Sequence, residues 1–189
     1  RWSWFMRKAF SLALVILFCF SVVAPFKGAE AMDAEDTVQN RIEQFVPEVQ
    51  AVGEGLLEFL FKDVYTATLH APNGQWTGEA PYALEINYKM GLKGQKIAER
   101  SVVEMRKIGY EDEDQLERWL QNMVEIFPDV EDGSTLTGIY TSARKTIFFD
   151  GIKQIGLVED PEFGRAFFNI WLSERTSEPE LRQALLGKR

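Results

Sequence analysis

Between Tyr82 and Lys89 the chain alternates. Tyr82, Leu84, Ile86 and Tyr88 are apolar or aromatic, and Ala83, Glu85, Asn87 and Lys89 fall between them. A period of two predicts a half-buried antiparallel strand, because successive side chains of a strand point to opposite faces. Upstream, Phe45–Gln50 reads as a short strand and Gly53 and Gly55 as punctuation. Leu56–Ala71, rich in Phe, Val, Tyr and Thr, reads as one long strand region closed by the turn Pro72-Asn73-Gly74. From Lys93 to Ile108 the period becomes helical. Ala98, Val102 and Met105 share one face, and Gly109 is placed as a C-terminal cap. Leu116, Trp119, Leu120, Met123, Val124 and Phe127 recur at i, i+3, i+4, i+7, i+8 and i+11, the strongest helical pattern in the chain, stopped by Pro128.

Strands resume at 134–141, 145–149 and 152–158, the last two flanking Asp150-Gly151, a two-residue hairpin signal. Asp160-Pro161 predicts the N-cap and first-turn proline of a third helix, with Phe163, Ala166, Phe167, Ile170 and Trp171 facing inward. Ser177 and Glu180 predict a capping box for a last helix that buries Leu181, Ala184 and Leu185 and ends at Gly187. Runs of strands followed by helix pairs, twice over, predict an α+β domain: an antiparallel sheet with helices packed on it.

The N-terminal pattern is of another kind. Arg7 and Lys8 precede an apolar run from Ala9 to Phe26, broken by Ser11, Ser21 and Pro25, and Ala29-Glu30-Ala31 follows. A basic segment, an apolar segment and a small-x-small site predict a signal peptide over residues 1–31, cleaved after Ala31. Met6 is the better start for it. A retained membrane anchor is the competing reading, which Pro25 and the Ala-x-Ala site disfavour. The expectation is a periplasmic or secreted protein with no stable membrane anchor after cleavage. Residues 32–44, polar and acidic, are read as a mobile leader or a short helix, and residues 45–189 as the domain.

Charge and composition narrow the chemistry. The chain carries a net charge of −8. Loss of Arg1, Arg7, Lys8, Lys27 and Glu30 with the signal leaves 17 basic and 28 acidic residues, a net −11. Nucleic acid is therefore not an expected partner, since phosphate neutralisation needs a basic surface. Cys19 is the lone cysteine and lies in the signal, so the mature chain forms no disulfide. His70 is the single histidine, which leaves no zinc site of the usual nitrogen–sulfur type. Asp129–Gly133 resembles a calcium loop only faintly, because its spacing wants a carboxylate where Tyr140 stands. There is no Gly-x-Ser-x-Gly elbow and no glycine-rich phosphate loop, and Glu111–Asp114 reads as a solvated helix entry. No cofactor, metal or catalytic set is expected. The excess is aromatic, 13% of the chain with 14 Phe. Core packing explains most of it, and an apolar ligand cavity between sheet and helices is the alternative. Its polar members would be drawn from Tyr65, Tyr88, Arg106, Tyr140 and Asn169.

Gly53-Glu-Gly55-Leu-Leu-Glu-Phe-Leu-Phe-Lys62-Asp-Val-Tyr65-Thr-Ala-Thr-Leu69 resembles the opening strand pair of chalcone isomerase-like domains. In that family a Gly-x-Gly-x-Arg turn leads to a Lys-x-Val-Tyr-x-x-x-Leu strand. Phe127-Pro-Asp-Val, Gly133-x-x-Leu-Thr-Gly138, Phe148-Phe-Asp-Gly151, Phe168-x-Ile-Trp-Leu172 and Leu181-Arg-x-x-Leu-Leu-Gly187 are similar to bacterial members. The resemblance spans about residues 45–187. It implies an open-faced antiparallel β-sandwich backed by helices. In the superfamily, plant enzymes close a chalcone ring, related plastid proteins bind fatty acids, and both use the arginine of the first turn. Here Leu57 occupies that position, while Tyr65 matches the carboxylate tyrosine of the fatty-acid binders and Asn169 falls near a polar residue of the isomerases.

Three readings follow. The favoured one is an exported, non-catalytic binder of a small lipophilic ligand such as a fatty acid, contacted by Leu57, Tyr65, Tyr88, Arg106 and Asn169. The second is an isomerase, an intramolecular lyase acting on a chalcone-like enone, which needs Arg106 or Arg165 to replace the missing guanidinium. The third is an envelope interaction or assembly protein without a ligand.

Overall fold

The computed structural model describes residues 37–188. Six strands follow one another: β1 (Val49–Phe59), β2 (Lys62–Pro72), β3 (Tyr82–Tyr88), β4 (Thr135–Tyr140), β5 (Thr146–Asp150) and β6 (Lys153–Val158). They pair in sequence order, each antiparallel to the next, as one open sheet. The meander is interrupted once, between β3 and β4, by α2 (Gly94–Ile108) and α3 (Glu113–Ile126), and it ends in α4 (Pro161–Leu172) and α5 (Pro179–Leu185). The fold is α+β, and the layer facing the sheet is helical.

The helices begin and end where local chemistry sets their limits. Gly109 closes α2 in the left-handed region at φ 115°. Asp112 accepts a hydrogen bond from the Gln115 N–H at the start of α3, and Asp160 does the same for Glu162 in front of Pro161. Their apolar faces lie on one side of the sheet. Leu69, Leu84, Leu136 and Phe148 from the strands meet Met105, Trp119, Met123, Phe163 and Phe168 from the helices. Phe167 stands at the centre, with Phe148, Phe168 and Trp171 edge-on at 5.1, 5.4 and 5.3 Å between ring centres. These offset rings supply core packing beyond their buried area.

The reverse face carries a smaller cluster of Ala83, Ile139, Ile147 and Phe149, covered by Ile42 and Val46. Ile42 belongs to α1 (Val38–Glu43), whose N-cap Thr37 accepts from the Asn40 N–H. The described part of the stretch read as a mobile leader or a short helix is a helix seated on the sheet, because Ile42 and Val46 close an apolar patch that would otherwise face water. The stretch read as a signal peptide, its expected cleavage site and residues 32–36 lie outside the described residues. The described residues form one compact unit.

Three strand boundaries and one cap differ from expectation. The region 56–71 is not one strand but the hairpin β1–β2, turning at Leu60-Phe61. Residues 45–48 are a turn rather than a strand. The β5–β6 loop is Gly151-Ile152, since Asp150 pairs with Lys153. Ser177 does not cap α5; its hydroxyl donates to Glu104 instead, and Glu178 occupies the N-cap without a side-chain bond.

The entry of α2 is pinned. Asp129, which follows α3, accepts from the Gly94 N–H at 3.0 Å and from Lys93 Nζ at 2.7 Å. Leu92 and Val130 exchange two backbone hydrogen bonds beside it. The acid of the faint calcium-loop motif is therefore a helix cap here.

Candidate functional site

Register builds the site. Leu57 on β1 stands opposite Tyr65 on β2, and Tyr65 stands opposite Tyr88 on β3. All three pack with the helix-side core. They form a row across the sheet, with the two tyrosine rings edge-on at 5.9 Å and 72°. Beneath α2 and α4 this row borders a cavity of about 340 Å³. Leu84, Ile86, Leu136 and Phe148 extend its wall from the sheet, and Phe167, Ile170 and Trp171 from α4.

Within this apolar wall the polar groups are few. Trp171 Nε1 donates to the Tyr65 hydroxyl at 2.9 Å. An indole N–H is donor only, so Tyr65 is the acceptor and keeps its own O–H to give. Burial pushes the Tyr65 phenol up to about 12, the Trp171 bond opposing that shift without cancelling it. Burial, with the neighbouring Tyr65 adding to it, raises Tyr88 as well. Both phenols are neutral donors at physiological pH. The Tyr88 hydroxyl makes no hydrogen bond among the described residues.

Helix α2 supplies the opposite side. Ile97, Arg100, Ser101 and Glu104, at i, i+3, i+4 and i+7, line the cavity. The Ser101 hydroxyl donates to the Ile97 carbonyl of its own helix at 2.8 Å. The Glu104 side chain is only 8% exposed. It accepts from Ser177 at 2.5 Å and pairs with Arg100 and Lys107 at 2.7 and 3.0 Å. Burial alone would raise its carboxyl, but the Ser177 hydroxyl, Lys107 and Arg100 outweigh burial and hold it below the ordinary carboxylate value. Lys96 and Arg100 stand at the mouth, each engaged with an acid of its own helix.

Of the expected contacts, the structure brings Leu57, Tyr65 and Tyr88 together and leaves the others out. Arg106 lies at the far end of α2 and makes a bidentate surface pair with Glu113 at 2.9 and 2.8 Å. Asn169 is half-buried on α4 and bonds to the Tyr110 side chain. Tyr140 donates to the Pro161 carbonyl at 3.1 Å. Arg165 is exposed and does not line the cavity. The sequence reading missed Trp171 as a cavity residue and the Arg100–Glu104 face. The signal for that face was present: polar residues at helical spacing directly beside the core stripe Ala98, Val102 and Met105.

The arrangement can hold an apolar body and offer hydrogen bonds to one acceptor. At the position facing Tyr65 it presents the side chain of Leu57, so a developing negative charge meets no guanidinium there.

The profile of a protein family described as chalcone isomerase-like matches residues 30–187. Among solved structures, a fatty-acid binding protein of Arabidopsis thaliana is similar, with a TM-score of 0.57 and 15% identity over 74% of this chain and 87% of that one. At that identity the likeness is one of fold. No curated protein matches the chain.

Proposed function

The chain belongs to the chalcone isomerase-like family, and we propose that it is a non-catalytic binder of a small lipophilic molecule bearing one hydrogen-bond acceptor. A fatty acid, or a neutral ester of one, is the class that fits. The observation that carries this reading is the Trp171–Tyr65 hydrogen bond beside Tyr88, set in the wall of an apolar cavity of about 340 Å³. That volume lies within the roughly 300–1,000 Å³ of ligand pockets. A fold with a filled core would give the ligand-free envelope reading more support. The fatty-acid binding protein of similar fold supports the choice of ligand class.

Magnitudes separate binder from enzyme. A neutral hydrogen bond from Tyr65 is worth about 0.5–1.5 kcal/mol net. Enzymes remove about 8 kcal/mol or more from a barrier. The test pairs displacement of a fluorescent fatty acid with a chalcone cyclisation assay. The native protein should bind free acid and methyl ester within about tenfold of one another, as Arg100 and Lys96, the cations of the lining, are already paired with Glu104 and Glu99. Tyr65→Phe should weaken both by about tenfold or less. Leu57→Arg should shift the preference to the free acid. Robust cyclisation by the native protein would overturn this reading.

Export belongs to the same proposal, supported by the Arg7–Ala31 pattern. N-terminal sequencing of protein from its native envelope should begin at Met32. Recovery of Arg7 or Lys8 on a membrane-bound form would reject it.

A further inference from the structure

The β1–β2 turn is built from residues that such turns avoid. Phe59 pairs with Lys62, so Leu60 and Phe61 form a two-residue loop, and their φ angles are +49° and +64°. Positive φ at both central positions defines a type I′ turn, which favours Asn-Gly because a Cβ crowds the left-handed backbone. Bulky apolar residues are poor choices there. They are also poor choices for solvent. Phe59, Leu60 and Phe61 are 62%, 75% and 101% exposed. The other exposed large hydrophobics among the described residues, such as Leu157 and Ile152, are about half covered. Strain and exposure both count against Leu60 and Phe61, and neither side chain is part of a core cluster. Strain held in the backbone without a packing return points to a role outside the fold.

Position suggests the role. Leu57, Glu58 and Phe59 line the cavity from β1 and Lys96 and Arg100 from α2, and the exposure of all but Leu57 puts the cavity mouth beside them. We propose that Phe59-Leu60-Phe61 is a membrane-docking tip. It inserts reversibly into the outermost apolar layer of a lipid bilayer and sets the cavity mouth against it.

A bilayer fits this tip better than a protein does. A stable protein interface buries roughly 1,200–2,000 Å² over a continuous surface. Here the apolar side chains crown a two-residue turn, and the strands behind it carry the exposed charges Glu58, Lys62 and Asp63. Charges one or two residues behind an apolar crown limit insertion to a shallow depth and lie at headgroup level. Lys96 and Arg100 beside the mouth place cations where lipid phosphates would sit. The chain as a whole is acidic, at −8. The attraction is therefore apolar in origin rather than a general electrostatic one. The proposal goes beyond the ligand of the cavity and would stand if the cavity bound nothing.

The test uses the protein beginning at Met32 and its Leu60→Asn/Phe61→Gly variant, which installs the residues that the turn prefers. Both are floated with vesicles of phosphatidylcholine and with an equal mixture of phosphatidylcholine and phosphatidylglycerol. The parent should float with both. The variant should lose about a hundredfold in vesicle affinity, as expected for withdrawing two large apolar side chains from lipid. It should also melt at or above the parent temperature, since the strain is relieved. Fatty-acid displacement in vesicle-free solution should be unchanged, which keeps this test apart from that of the cavity. A single Phe61→Asp variant should repeat the loss. The proposal falls if the parent fails to float, or if parent and variants float equally. It also falls if the parent self-associates through the tip and the double variant is monomeric, because a second copy then covers those residues.

Discussion

Ser101→Trp should weaken fatty-acid binding by the cavity about a hundredfold or more while leaving the fold at least as stable as before. Ser101 lies on the inner face of α2 and lines the cavity. Its hydroxyl bonds only to the Ile97 carbonyl one turn back, a bond that does little for a helix. Removing the hydroxyl breaks no tertiary contact, which is unusual for a buried polar residue. Because Ser101 lines the cavity, the indole has open volume to enter. Trp is the bulkiest side chain available, and the cavity it enters measures only about 340 Å³. Displacement of a fluorescent fatty acid should therefore weaken by about a hundredfold or more, near 2.7 kcal/mol. Filling a cavity usually stabilises by about 0.5–2 kcal/mol, so the melting temperature should hold or rise slightly. Ser101→Ala is the control and should leave both quantities unchanged. Retained binding in the tryptophan variant would mean that ligand, if any, sits elsewhere.

The cavity shows where sequence reading reaches and where it stops. Alternation from Tyr82 to Tyr88 was legible because the two faces of β3 differ: helices cover one, and the other is only partly covered by α1. The helices α2, α3 and α4 were legible because apolar spacing and caps agree at both levels. The Leu60-Phe61 turn was not, since neither residue carries a turn signal and the strands on both sides read as continuous. The Leu57–Tyr65–Tyr88 row depends on register, which is a property of paired strands and not of any one segment. Resemblance singled out Leu57 and Tyr65, but their direct opposition came from the fold. Arg106 and Arg100 illustrate the same limit on a helix. Arg106 borders the core stripe of α2 and Arg100 lies farther round the other way, and only tertiary packing decides which side faces the cavity. Val38, Ile42 and Val46 recur at intervals of four, so the reverse-face patch was written in the chain, in an element too short for propensity to announce.

Alanine at Gly94 should destabilise the protein strongly, against what helix propensity alone dictates. Gly94 opens α2, and alanine is favoured over glycine in helices by about 1 kcal/mol. Packing reverses the sign. A Cβ on Gly94 would lie 2.1 Å from the Phe127 carbonyl oxygen and 2.6 Å from that of Pro128. Both are backbone atoms, so no flexible side chain can yield. Nor can either segment retreat cheaply. Phe127 is held edge-on to Phe148 at 5.1 Å. Leu92 and Val130 are joined by backbone bonds of 3.0 and 2.9 Å, and Asp129 caps the Gly94 N–H. Separating α2 from the loop after α3 would break these contacts together. A cost of about 3 kcal/mol or more is expected, at the upper end for overpacking. That corresponds to a fall of about 6–12 °C in melting temperature for a domain of this size. Gly133→Ala is the contrast, because nothing lies within 4 Å of the added atom and only its φ of +87° resists substitution. It should cost about 1–2 kcal/mol. Gly94→Ala should also weaken ligand binding, since Leu92, Lys96 and Ile97 flank the same helix entry and line the cavity. A Gly94→Ala protein that melts at or above the parent would show that α2 has room at its entry, and the close approach that fixes the cavity mouth would have to be abandoned.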